Sequence, residues 1–138
     1  NYLSDYILHL ITTLDLSVSD QIFYVISILY LITFITSAFI SNAAVAIILS
    51  PLAILLANHF QSLSVVETID PTRAFLMSIC FGASASFMTP IGYQTNLMVF
   101  APGQYKFRDF MLVGIPLTLI FWVIAIYYIP IFWPFMIN

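Results

Sequence analysis

Eight residues, Thr89-Pro90-Ile91-Gly92-Tyr93-Gln94-Thr95-Asn96, constrain this chain more than any other feature. They are polar and helix-breaking, yet they stand inside a charge-free apolar stretch running from Ala74 to Tyr105. A bilayer core offers no water to an unpaired amide or carbonyl, so broken helix at that depth survives only where protein or a solute cavity receives its backbone groups. A substrate pathway is the leading explanation for such a segment.

The stretch is read as lying in lipid because of its surroundings. The chain is 62% hydrophobic and 17% aromatic with only 7% charged residues, the composition of an all-α integral membrane protein. Its formal charge of −3 comes from a few short islands, which leaves no basic surface for nucleic acid. Cys80 is the single cysteine and excludes an internal disulfide or a cysteine metal cluster; a buried structural thiol is expected there. The start, Asn1-Tyr2-Leu3, has neither an initiator Met nor a basic n-region, and it reads as part of a longer chain rather than a signal peptide.

The charged islands divide the sequence. Asp5, Asp15 and Asp20 come first, then Glu67, Asp70 and Arg73, then Lys106, Arg108 and Asp109. Residues 1–20 are expected to be a helix end and an outer loop. A spanning helix needs about 20 residues, and the block from Gln21 to Val66 is about twice that, so a hairpin is expected over 21–60 with its turn at Ser41-Asn42. That turn has no charge, Gly or Pro. It suits either a re-entrant hairpin whose tip stays inside the protein or two full spans with a tight turn at the far interface.

Pro71 suits the first turn of the next helix, with Asp70 or Thr72 capping its free amides. A broken helix is expected over 73–101, with a first arm to about Met88 and a second from Leu97 to Phe100. Ser78, Gly82 and Ser86 share one face of the first arm and read as close helix packing. The last span is expected over 110–133, with Trp133 at the membrane interface. Lys106 and Arg108 place the 102–109 loop in the cytoplasm by the positive-inside rule. Half-helix ends at such a break aim free amides at an anion and leave carbonyls for a small cation. His9 and His59 lack metal-ligand spacing, Ser41 has no readable His-Asp partners, and no phosphate loop is present, so an enzyme is not expected.

Ser41-Asn42-Ala43-Ala44, followed later by Ala85-Ser86-Phe87-Met88-Thr89-Pro90-Ile91-Gly92-Tyr93-Gln94-Thr95-Asn96-Leu97-Met98-Val99-Phe100-Ala101-Pro102-Gly103, resembles the C-terminal half of the divalent anion/sodium symporter family. Within that ion-transporter superfamily the sulfate and dicarboxylate permeases are the nearest branch. The resemblance covers about residues 20 to 125. It implies that the chain is the second of two inverted repeats, each with a re-entrant hairpin and a discontinuous helix, in a carrier of the plasma or inner membrane. It further implies a sodium-coupled symport of sulfate or a di- or tricarboxylate, with no cofactor besides the coupling ion. The missing N-terminal repeat, the lipid bilayer and a possible second copy would be its partners, and the repeat alone would not transport.

Carried over residue by residue, the resemblance implies that Ser41, Asn42, Thr89, Pro90, Thr95 and Asn96 face the anion. Ser41, Asn42, Gly92, Tyr93 and Gln94 would offer oxygens to sodium, since hard cations take oxygen donors. Two positions depart from the family pattern. Ala43 stands where the tip usually has Thr, and Tyr93-Gln94-Thr95 replaces the Thr-Pro-Pro of many dicarboxylate carriers, so a compact oxyanion such as sulfate is at least as well suited. The alternatives are a proton-coupled antiporter or oxyanion exporter of the same superfamily, or a non-transporting membrane subunit. The last would be favoured by a continuous helix through residues 80 to 100.

Overall fold

The computed structural model describes residues 17–63 and 69–135, together with residues 2, 5–7 and 9. Most of the expected outer loop before residue 20 therefore lies outside the described residues, as does Glu67. The described part is built of helices, α1 (Val18–Ser37), α2 (Asn42–Leu63), α3 (Thr72–Ser84), α4 (Gln94–Phe100) and α5 (Phe107–Phe132).

Each boundary has a local cause. Ser17 caps α1, its hydroxyl accepting from the Asp20 amide at 3.3 Å and donating to the Asp20 carboxylate at 2.6 Å. Asp70 closes the start of α3 by accepting the Thr72 amide at 3.0 Å, and Gln61 donates to the same oxygen at 2.8 Å from the end of α2. Asp109 caps α5, taking the Lys106 amide at 2.8 Å.

Among the described residues three helices, Val18–Ser37, Asn42–Ser62 and Phe107–Phe132, are long and apolar enough to cross a membrane. At a rise of about 1.5 Å per residue, α1 covers about 30 Å, the thickness of a hydrocarbon core. The turn between α1 and α2 occupies residues 38–41 and ends one position earlier than expected, because Asn42 already opens α2.

Helix α3 sits at the centre, packed most extensively on α1 and then on α2, with α5 against it and α1 from the side. Ile22, Val25, Ile26 and Leu29 of α1, Leu52, Leu56 and Phe60 of α2, and Phe75 and Ile79 of α3 form the core, joined by Ile129 of α5. The rings of Phe60 and Phe75 meet edge to face at 6.0 Å. Peripheral α5 is only 17% buried along its most apolar stretch.

The helix expected to run to Met88 stops at Ser84, and the second arm begins at Gln94 rather than Leu97. Beyond Ser84 the helical ladder is not continued: the Ala85 amide turns back to the Gly82 carbonyl at 3.3 Å, and the Ser37 hydroxyl of α1 lies 2.8 Å from the Ala83 carbonyl. The final span is longer than expected, 107–132, with Trp133 at its C-cap. Cys80 corrects the expectation of a buried thiol: it lies on the exposed side of α3.

Candidate functional site

Residues 85–93 cross the end of the α1–α2 hairpin as non-helical backbone. Four helix ends point into this region: the C-termini of α1 and α3 and the N-termini of α2 and α4. In α2 the Val45 amide bonds to the Ser41 carbonyl at 3.0 Å, leaving the amides of Asn42, Ala43 and Ala44 outside the helical ladder. In α4 the Leu97 amide bonds to the Tyr93 carbonyl at 3.2 Å, which leaves those of Gln94, Thr95 and Asn96 likewise.

Asn42 ties the two motifs together. Its Oδ1 position lies 2.8 Å from Ser37 Oγ and 2.9 Å from Ser86 Oγ, bridging 44 residues of sequence. The same two hydroxyls lie 2.8 Å and 3.5 Å from the Ala83 carbonyl oxygen. Each hydroxyl carries one proton, so with an oxygen at that amide position two protons must serve four contacts. With the amide turned by half a revolution, Nδ2 donates to both serines, and both serines donate to Ala83. That orientation gives each of these protons a single acceptor and leaves Asn42 Oδ1 on the opposite side of the amide; orientation of an Asn is assigned by such counting.

Thr89 is the second tie. Its hydroxyl donates to the Ala38 carbonyl at the end of α1 and accepts the Gly92 amide at 3.0 Å. Gly92 must lack a side chain here, since a Cβ would fall 2.9 Å from the Ser37 carbonyl oxygen. Asn96 is the third: its Nδ2 donates to the Thr89 carbonyl at 3.2 Å and the Ser86 carbonyl at 3.5 Å, closing the broken segment into a loop.

The expected site residues thus separate into two groups. Asn42, Thr89, Pro90, Gly92 and Asn96 are buried or half-buried and hold one another or the α1 terminus in place. Ser41, Tyr93, Gln94 and Thr95 stand on the exposed side of the same region. Ser37 was not anticipated, and Ser86 was read as packing alone. Nothing in the spacing marks Ser37, whereas Ser86 sits beside the helix break and could have been considered a partner for Asn42.

The region is neutral and rich in amide and hydroxyl groups. Among the described residues no group of three or more His, Cys, Asp or Glu side chains could hold a metal ion. Neutral oxygens bind a hard monovalent cation weakly enough to release it, and free amides at helix N-termini attract anions.

The family model described as citrate transporter matches residues 19–136. A curated "uncharacterized transporter" of Synechocystis is 45% identical over 91 residues, 66% of this chain and 14% of that protein. Another of Escherichia coli is 34% identical over 107 residues, 78% of this chain and 16% of that protein. Sodium/sulfate cotransporter 1 of Chlamydomonas reinhardtii is 34% identical over 97 residues, 70% of this chain and 10% of that protein. The chain therefore spans less than a fifth of the length of each of these relatives. No solved structure matches it.

Proposed function

The chain belongs to the citrate transporter family, and on that premise we propose that it is one half of a sodium-coupled carrier for a small anion, sulfate or a di- or tricarboxylate. Family and relatives are transporters rather than enzymes, and the chain is an integral, multi-pass membrane protein. The observation that carries the finer reading is the convergence of Asn42 on the broken segment through Ser37 and Ser86. A discontinuous helix held against a hairpin tip supplies both parts of a co-transport site, amides for the anion and carbonyls for the cation.

In this reading the hairpin is re-entrant, its tip rests near the bilayer midplane, and the chain is the second of two inverted repeats. Ser41 and the α2 and α4 amides face the anion, with the exposed Thr95 hydroxyl beside them. The carbonyls of Gly92, Tyr93 and Gln94, together with Asn42 Oδ1, face sodium. Thr89, Pro90 and Asn96 act by holding that backbone in shape, since the Thr89 hydroxyl and the Asn96 amide nitrogen are engaged internally. The likeness to the algal sodium/sulfate cotransporter favours sulfate and sodium over the alternatives. The 102–109 turn lies in the cytoplasm, the first repeat completes the site, and a second copy completes the assembly.

Uptake of radiolabelled sulfate, succinate and citrate into proteoliposomes of the full-length parent tests this reading. Sulfate or a carboxylate entering only with an inward sodium gradient is expected. Uptake driven equally well by a proton gradient without sodium would replace the symporter with the antiporter alternative.

A further inference from the structure

Helix α5 presses on the broken segment at one point, and it can do so only because residue 114 has no side chain. A Cβ on Gly114 would collide with the Phe87 carbonyl oxygen, and would lie 2.7 Å from its carbonyl carbon and 2.6 Å from Met88 Cα. All three are backbone atoms, so no rotamer change relieves the clash. Real Cβ atoms essentially never come within 3.0 Å of such neighbours, so the approach is closer than any other residue permits. Glycine inside a helix is otherwise a destabilising choice, and a lipid-facing position in α5 would be filled by a large apolar residue.

The neighbouring residues continue the contact. Thr118, one turn on, is 2% exposed and donates to the Gly114 carbonyl at 2.7 Å, so its polar group is satisfied within its own helix. The Phe121 ring meets the Phe87 ring at 5.6 Å. Asn96 and Asp109 share with Gly114 the lining of a cavity of about 360 Å³ between α4 and α5. The contacted residues, Phe87 and Met88, stand between Ser86, which meets Asn42, and Thr89, which meets Ala38.

We propose that Gly114 is a positioning residue for transport: by letting α5 bear directly on the Phe87–Met88 backbone, it sets how far the broken segment advances onto the hairpin tip. The proposal rests on the transport reading above and adds to it a role for the peripheral span. Adding one methyl group at residue 114 moves the segment by about the shortfall in contact distance, and the hydrogen bonds of 2.9 Å to Asn42 and 3.0 Å within the Thr89 turn are stretched past the usual limit of about 3.2 Å.

The test compares Gly114→Ala with Ile129→Ala in the full-length parent. Ile129 is also buried, belongs to the core cluster and lies about four turns beyond Gly114 in the same helix. Two readouts are taken. The first is the half-saturating anion and sodium concentrations for uptake. The second is the distance between spin labels at Phe39→Cys and Met98→Cys, both exposed, in a background carrying Cys80→Ser and freed of other cysteines. Gly114→Ala is expected to raise a half-saturating concentration about fivefold or more and to shift or broaden the label distance, while Ile129→Ala lowers the thermal midpoint and changes neither. Unaltered readouts in Gly114→Ala, showing that α5 yields instead, would overturn the proposal, as would equal changes in Ile129→Ala. If the wild type takes up none of the anions, the transport reading fails and the label distance alone decides. Should Gly114→Ala not fold, Phe121→Ala, which removes the ring against Phe87, is read in the same assays with the same expected and overturning results.

Discussion

Replacing Thr89 by Val preserves the shape of the side chain and deletes only the hydroxyl, which makes it the sharpest probe of how the broken segment is held. Thr89 is 1% exposed, and its hydroxyl serves two backbone groups, the Ala38 carbonyl and the Gly92 amide. Neither group belongs to a helix, so neither can re-pair within a ladder once the hydroxyl is gone. Leaving a buried backbone group unsatisfied costs about 1–3 kcal/mol, whereas side-chain hydrogen bonds in membrane proteins average about 0.6 kcal/mol with a maximum near 1.7. Two orphaned groups in irregular backbone, weighed between these two scales, give an expected loss of about 2–4 kcal/mol.

Thr36→Val supplies the comparison. The Thr36 hydroxyl only back-bonds to the Ile32 carbonyl of its own helix at 2.7 Å, so its removal is expected to cost under about 0.5 kcal/mol. Thr89→Ser restores the hydroxyl and loses one methyl group, for about 1 kcal/mol. The assay is reversible denaturation of the purified parent in mixed detergent, read by tryptophan fluorescence. A Thr89→Val variant no less stable than Thr36→Val would refute the reasoning, because the two hydroxyls would then be equivalent.

Other consequences can be checked in the same way. Gly82→Ala is expected to destabilise by about 1–3 kcal/mol, since a Cβ there would stand 2.8 Å from the Tyr30 carbonyl and force α3 off α1; an unchanged denaturation midpoint would contradict that packing. Gln104, at φ 52°, occupies the left-handed region, so Gln104→Gly should stabilise by up to about 1 kcal/mol, and a lower midpoint would argue against that turn. The hydrogen bond from the Thr72 side chain, aided by the Thr72 amide, Gln61 and Arg73, holds the Asp70 carboxyl below its ordinary value of 3.8. A lowered pKa means stabilisation that is fully present above the ordinary value and lost as pH falls through the folded one. Solvent screens this group, so Asp70→Ala should cost under about 1 kcal/mol. The gap from wild type should stay constant between about pH 8 and pH 5 and close only below about pH 4; closure near neutrality would implicate another group.

Much of the architecture was legible because lipid imposes a simple rule: apolar length sets the spans, and polar, helix-breaking residues inside them must be accounted for. The hairpin, the interruption near Thr89 and the capping by Asp70 all follow from residue type and spacing. Where the first arm ends did not. The stop at Ser84 coincides with a contact from another helix, Ser37 on the Ala83 carbonyl, a tertiary feature with no local signature. The same limit explains why Ser37 escaped notice and why Cys80 was expected to be buried: an apolar helix does not reveal which of its faces meets protein. Thr89 could be recognised as part of the break, but its role as a staple to Ala38 needed the position of α1. The Gly114 contact was equally hidden, because a single glycine in an apolar run shows nothing of what approaches it.

The most direct test of sodium-coupled anion transport is the initial rate of sulfate uptake against sodium concentration, measured in proteoliposomes of the full-length parent for wild type, Asn42→Ala and Asn96→Ala. The account predicts a sodium-dependent rate in wild type that falls about tenfold or more in both variants, while Thr36→Val remains like wild type. Uptake indifferent to sodium, or untouched by both asparagine substitutions, would contradict it.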